Sequence, residues 1–361
     1  MKNLMISLAL TTLSTLANAQ ANPQKLKLEL VYADDTYQLT GVAISQKGRL
    51  FTNYPLWSDT YKYALVEVKD KKAVPFPDET RNSWKEGQPG KDKWVCVQAV
   101  YIDDQDFMWV VDPAAPKMNK VYQQSHKLVK INLSDNSIVK TYTFEGIADE
   151  SSYINDVRVD TKLQYAYMTN SNTGGIVLVD LNSGKARQVL QGHYSVRSDQ
   201  NFKFIIDGKE LTKENVPVKM HSDGIALSPD GTWLYYKPLS DDKLYRIKTE
   251  DLRNESLNAQ QLGGKVQDLG KFVTTDGMTF DPAGNLYLGD LQRSAIVKIS
   301  PDLKMTTLIQ DNRLIWPDSY SVSKDGYLYV SCSQIQKQPE YNQGTNKRTT
   351  PYTIYRIKLS K

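Results

Sequence analysis

Residues 221–236 read "HSDGIALSPDGTWLYY", and about fifty residues later positions 274–290 repeat the phrase as "TTDGMTFDPAGNLYLGD". Both copies hold an Asp-Gly pair, a short apolar run, a tight turn and a second run rich in aromatics. A phrase that returns with its spacing intact marks a structural unit that is stacked or ringed. The tight turn serves as a ruler, because a two-residue reversal between alternating apolar residues is a strong local hairpin signal. Six such turns occur, beginning at Ser45, Asp103, Asp160, Ser228, Asp281 and Ser323. Each is followed by a strand of β-branched and aromatic residues: "RLFTN", "FMWVVD", "QYAYMTN", "TWLYYKP", "NLYLGD" and "YLYVSC".

Third strands follow in every unit, from "YALVEVKD" to the terminal "YTIYRIKLSK", and fourth strands in most, such as "SIVKTYTFEG" and "KMTTLIQD". The fourth unit offers only the irregular "SLNAQQLGGKVQDLG". The sixth unit ends without a fourth strand, whereas "KLKLELVYAD" near the start is a strand without a hairpin. The two fit together: a ring that borrows its last outer strand from the other end of the chain closes on itself and keeps its edges protected. The expected fold is all-β, a six-bladed β-propeller with four strands per blade, closed by the N-terminal strand.

Aligning the turns makes columns. Five places before each turn stand Thr40, Gln98, Asn155, Asp223, Asp276 and Asp318, all with a side-chain oxygen. The next column, Gly41, Ala99, Asp156, Gly224, Gly277 and Ser319, is mostly small, as close backbone approach near an axis requires. Val42, Val100, Val157, Ile225, Met278 and Tyr320 come next and predict the packing between blades. The innermost strand of a blade lines the central channel, so the polar column forms a ring at one mouth. Carboxylates gathered there repel unless a cation binds, a proton is shared or N–H groups satisfy them. Oxygen-only donors favour a hard divalent ion such as calcium, with Asn155, Asp223 and Asp276 as ligands. An Asp at a loop-to-strand junction also caps nearby N–H groups, so the same column has a purely structural reading.

The chain of 361 residues opens with a basic start, an apolar stretch and Ala17-Asn18-Ala19, the pattern of a secretory signal peptide over 1–19. That places the mature single domain, 20–361, in the periplasm or outside the cell. The formal net charge of +4 is spread without a basic block, which argues neither for nucleic acid nor for an anionic membrane as partner. Cys96 and Cys332 both fall on the ring face and would pair only if the fold brings blades two and six together. There is no GxSxG, P-loop or GxGxxG, so serine-hydrolase and nucleotide chemistry lack their motifs.

The long connections also belong to the ring face, and long loops in a compact fold are usually lids or binding walls. They bring Trp57, Tyr153 and Trp316 toward the mouth, where Gln98, Trp57, Tyr153 and Asp318 are candidate ligand-binding residues. Asp223 and His221, two residues apart on one strand side, are the candidate acid–base pair. The structural alternative for a lone histidine is a satisfied packing role. His126 and His193 have no metal-set spacing.

Taken together, "LTGVAISQKGRLFTNYPLW", "VPFPDE", "VCVQAVYIDDQDFMWVVDPA", "INDVRVD", "AYMTNSNTGGIVLVDLNSGKARQVL" and "SDGIALSPDGTWLYYKPLSDDKLYRIKTEDL" resemble the major royal jelly protein/Yellow family over nearly the whole mature chain. The resemblance implies a secreted six-bladed propeller. It implies mixed roles: conversion of dopachrome, binding of amines, or food storage. More distantly, the ring is similar to that of gluconolactonase and regucalcin-type propellers, which hold a divalent ion through Glu, Asn and Asp. Asn155 and Asp223 match two of those positions, and Thr40 stands where the Glu would be. Two functions follow as expectations: an enzyme for lactone hydrolysis or tautomerisation of a small cyclic or aromatic metabolite, or a non-catalytic binder of amine or aromatic molecules.

Overall fold

Six antiparallel sheets of four strands each account for almost all the regular structure of the computed structural model, which describes residues 26–57 and 62–359. The expected signal peptide lies outside the described residues. The first five blades follow chain order, for example Ile154–Asp160, Tyr165–Asn170, Ile176–Asp180 and Ala186–Val189 in blade three. Blade six combines Pro317–Val322, Tyr327–Cys332 and Tyr352–Lys358 with Glu29–Asp34, which pairs antiparallel to the C-terminal strand from Glu29↔Arg356 to Asp34↔Tyr352. The closing strand is therefore the one expected.

The repeated turns explain the hairpins locally. Gly48, Gly231, Gly284 and Gly326 each donate to the carbonyl three residues back, with φ between 74° and 85°. Asp106 takes the same left-handed place in blade two. The residue that opens the turn, Ser or Asp, accepts from the N–H that starts the next strand: Ser228 from Trp233 (2.9 Å), Asp281 from Asn285 (2.9 Å) and Ser323 from Tyr327 (3.1 Å). Blade four is the irregular one. Its predicted outer stretch contains a short helix, Ala259–Gly263, started by an Asn258/Gln261 capping box, and pairs only over Gln267–Lys271.

The core is divided rather than central. Six apolar clusters each lie between two adjacent blades, such as Trp109, Val111, Val157 and Met168 between blades two and three. The predicted packing column, Val42, Val100, Val157, Ile225, Met278 and Tyr320, is buried throughout. Burial of that kind stabilises by about 25 cal/mol per Å2 of apolar surface, so each blade depends on both neighbours. Cys96 and Cys332 are buried free thiols, so the disulfide left open by the sequence is not formed. No described helix is long and apolar enough to cross a membrane.

One segment has no counterpart among the repeats. Before the inner strand of blade four, residues 199–220 fold into two short hairpins, Ile205–Ile206 with Lys209–Glu210 and Thr212–Lys213 with Val216–Pro217. They sit on the ring face, with a separate apolar cluster of Phe204, Ile206, Leu211, Leu239, Leu291 and Trp316 beneath them.

Candidate functional site

The inner strands bring their first residues together by a shared distortion. In blades three, four and six the antiparallel register breaks across the ring residue, between Ile154 and Val157, Ser222 and Ile225, and Pro317 and Tyr320. A bulge re-aims one side chain, here Asn155, Asp223 or Asp318. The small column lets the strand starts crowd together: a Cβ on Gly224 would lie 2.3 Å from the Asp276 carbonyl oxygen, and one on Gly277 would lie 2.5 Å from that of Asp318. Gly277 N–H also donates to the Asp318 carbonyl at 2.8 Å.

Gln98, Asn155, Asp223 and Asp276 line a cavity at the mouth, walled by Trp57, Tyr153, Trp316 and Tyr341 and roofed by Leu211, Val218 and Met220. Thr40 does not line it; its hydroxyl donates to the Gln98 carbonyl and accepts from Asn53. Asp318 does not line it either, and it bears on Asp223 and Asp276 electrostatically. Gln98 and Tyr153 form one unit: the Tyr153 hydroxyl donates to Gln98 Oε1 (2.7 Å) and accepts from Trp57 Nε1 (3.0 Å).

The Asp223 and Asp276 carboxyls are close neighbours, and each shifts the other's titration. Burial, then the neighbouring Asp276 and Asp156 charges, pushes Asp223 well above the usual carboxylate range. Burial also raises Asp276, to about 7, while the Trp316 indole, donating from Nε1 to Asp276 Oδ2 at 2.6 Å, holds its ionised form. Both carboxyls are raised by burial, and two carboxyls so placed in a dry site favour holding a proton between them over ionising together. Asp318 is raised by burial and by Asp276.

His221 stands elsewhere. It does not line the cavity, and its Nδ1 accepts from the Ser198 N–H at 3.1 Å. Burial, with the Arg197 charge, lowers its pKa and keeps it neutral. Its surroundings match the structural alternative, and the carboxyl beside Asp223 is that of Asp276.

Three charged residues were not singled out as site groups by the sequence reading. Asp156, the sole acid in the small column, is raised by burial and stands 3.9 Å from Arg158. Arg158 is buried and donates to the Val157 and Met278 carbonyls, both at 2.6 Å, which carries its guanidinium from blade three to blade five. The signal was available: three places after the ring residue the column reads Ala43, Tyr101, Arg158, Ala226, Thr279 and Ser321, one cation among mostly small neighbours. Lys237, fully buried with Nζ donating to the Pro238 and Asp241 carbonyls, has its pKa lowered by burial to about 8.

The donors do not form a calcium cage as folded. The Trp316 indole occupies Asp276 Oδ2, and Thr40 is turned away to Gln98 and Asn53. Calcium takes six to eight oxygens. Among the described residues no three His, Cys, Asp or Glu side chains stand together as a metal-holding group. The arrangement instead supplies one carboxyl that can give a proton beside one that can take it.

Comparison with known proteins agrees with this architecture. The chain is 24% identical over 323 residues to major royal jelly protein 2 of Apis mellifera, covering 80% of this chain and 63% of that protein, less than two thirds of its length. Among solved structures, a gluconolactonase of Xanthomonas campestris superposes with a TM-score of 0.57 at 9% identity, covering 93% of this chain and 91% of that one. A calcium-binding regucalcin of Agrobacterium tumefaciens gives 0.51 at 14% identity, covering 93% and 96%. At such identities the two structures support the propeller fold alone. The family model for major royal jelly proteins matches residues 95–361, most of the chain and five of its six inner strands, and the chain belongs to that family.

Proposed function

We propose that this protein acts outside the cytoplasm on a small cyclic or aromatic metabolite at the channel mouth, by lactone hydrolysis or dopachrome-type tautomerisation. The carrying observation is the neighbouring Asp223 and Asp276 carboxyls, both raised by burial beneath aromatic walls, which we read as sharing one proton. In tautomerisation, Asp223 gives its proton to one substrate atom while Asp276 takes a proton from another. In lactone hydrolysis, Asp276 takes a proton from the attacking water and Asp223 protonates the departing ring oxygen. Either way the pair ends with one proton, held by the other carboxyl, and is ready for the next turnover. Trp316 holds Asp276 in place, and Gln98, fixed by Tyr153, offers hydrogen bonds to the substrate.

A second reading follows from the same residues. The pair carries one negative charge when Asp276 is ionised, and aromatic faces surround it, which suits capture of an aromatic amine without turnover. Assay across a lactone panel and enolisable aromatic ketones, with calorimetric titration of tyramine, separates the two. The enzyme reading expects turnover that Asp223→Asn lowers at least about a hundredfold. Full activity in that variant removes the acid pair from the mechanism, and heat on tyramine titration without any product favours the binder. Turnover should survive EDTA; loss on chelation and recovery with calcium would instead assign a cation to Asn155, Asp223 and Asp276.

A further inference from the structure

The cavity over the acid pair is small: about 30 Å3 is open to the centre of a water molecule, room for one or two waters. A metabolite cannot enter it in this form. The cavity's cover comes from the insert before blade four, through Leu211, Val218 and Met220, together with Ile335, Gln338 and Tyr341 of the blade-six loop, and Leu211 is 1% exposed. We propose that residues 199–220 are a lid that swings away to admit ligand, and that Leu211 in the closed state occupies the place of the ligand's apolar ring. This rests on the mouth being the ligand site, and it adds the gate and the plug.

The segment is built to move as a body. Its two hairpins belong to sheets of their own and share no strand pairing with a blade. They meet at Leu211, whose N–H closes the first hairpin on the Phe204 carbonyl (2.8 Å) and whose carbonyl closes the second by accepting from Val218 N–H (3.0 Å). At its base, Lys219 Nζ donates to the carbonyls of Asp199 and Phe202 and keeps the ends of the first turn together. The underside is apolar, with Phe204 against Trp316 at 5.8 Å between ring centres. Because Trp316 bonds Asp276, closing the lid also seats the indole that orients the acid pair.

The rim is held differently. Lys213–Glu340 (3.3 Å), Asp207–Lys337 (2.6 Å) and Lys209 Nζ to Asn342 Oδ1 (3.2 Å) all run to the loop after the second strand of blade six. The two ion pairs are partly or largely exposed, so they are weak and screened by salt. A dry underside with a weak polar rim describes a latch.

The test uses the full chain with Lys209, Lys213 and Lys337 all changed to Ala. Hydrogen exchange of amides 203–218 should become about three- to tenfold faster with the blades unchanged. Raising salt to about 0.5 M should speed the wild type and leave the triple variant unaffected. Equal exchange rates overturn the lid. In a second arm, phenol is titrated into Leu211→Ala and the milder Leu211→Val. Binding at least about tenfold tighter in the Ala variant than in wild type, with Val between, supports the plug, and equal affinity overturns it. Exchange is read with no ligand present, so faster exchange alongside full turnover of Asp223→Asn supports the lid and overturns only the acid-pair reading.

Discussion

Asp276 stands between the Asp223 carboxyl and an indole N–H, and that position has a consequence for stability as well as chemistry. Its folded pKa of about 7 lies above the ordinary value of 3.8, so folding favours the protonated form. The stabilising contribution is complete below about pH 3.8 and is lost as pH rises through 7. Thermal melts from pH 5 to about pH 8 should therefore show wild type losing stability relative to Asp276→Asn, by a few kcal/mol at most. Parallel profiles would show that Asp276 is ionised throughout. Gly277→Ala is the steric counterpart: its Cβ would meet a backbone carbonyl at 2.5 Å, which cannot rotate aside. A loss of about 1–3 kcal/mol or more is expected in denaturant unfolding, and a neutral result would mean that the strand starts can spread. The ring column was legible in the sequence because each copy preserves its distance from a turn. The pairing of Asp223 with Asp276 was not, because period gives the order of blades round an axis and says nothing of which two carboxyls touch. His221 shows the converse: strand alternation placed it beside Asp223, and the Ser198 N–H that occupies it comes from a loop without a repeat.

Among the elements, the hairpins were readable because their turn chemistry is local, a Ser or Asp that caps the turn and a Gly that adopts positive φ. The lid hairpins follow the same local rule, with Asp207-Gly208 and Glu214-Asn215 at positive φ, but no second copy exists to set their place. Blade four's helix was hidden for a related reason: its capping box satisfies its own N–H groups and needs no partner strand. The closing strand is the element with the most to lose. Glu29–Asp34 covers the outer edge of Tyr352–Lys358, and Tyr32 packs between blades six and one. A chain beginning at residue 35 should expose that edge, melt at lower temperature and associate in size-exclusion chromatography. A monomer of unchanged melting temperature would show that blade six stands on three strands.

For the whole molecule, function and architecture share one geometry. Six blades are held by six clusters between neighbours, and the axis is left to polar side chains: carboxyls at the mouth and the Arg158 guanidinium further along the inner strand. Acid residues tolerated at the axis cost little packing there, since the apolar load is carried between blades. The clasp of blade six adds a matter of timing. Arg356 and Glu29, joined at 3.0 Å, are 327 residues apart in the chain. While the polypeptide is being made, five blades can pair their own strands, yet the waiting N-terminal segment has no partner until the final strand emerges. Contacts so distant in sequence are slow to form, which leaves an interval in which that sheet edge stands unzipped.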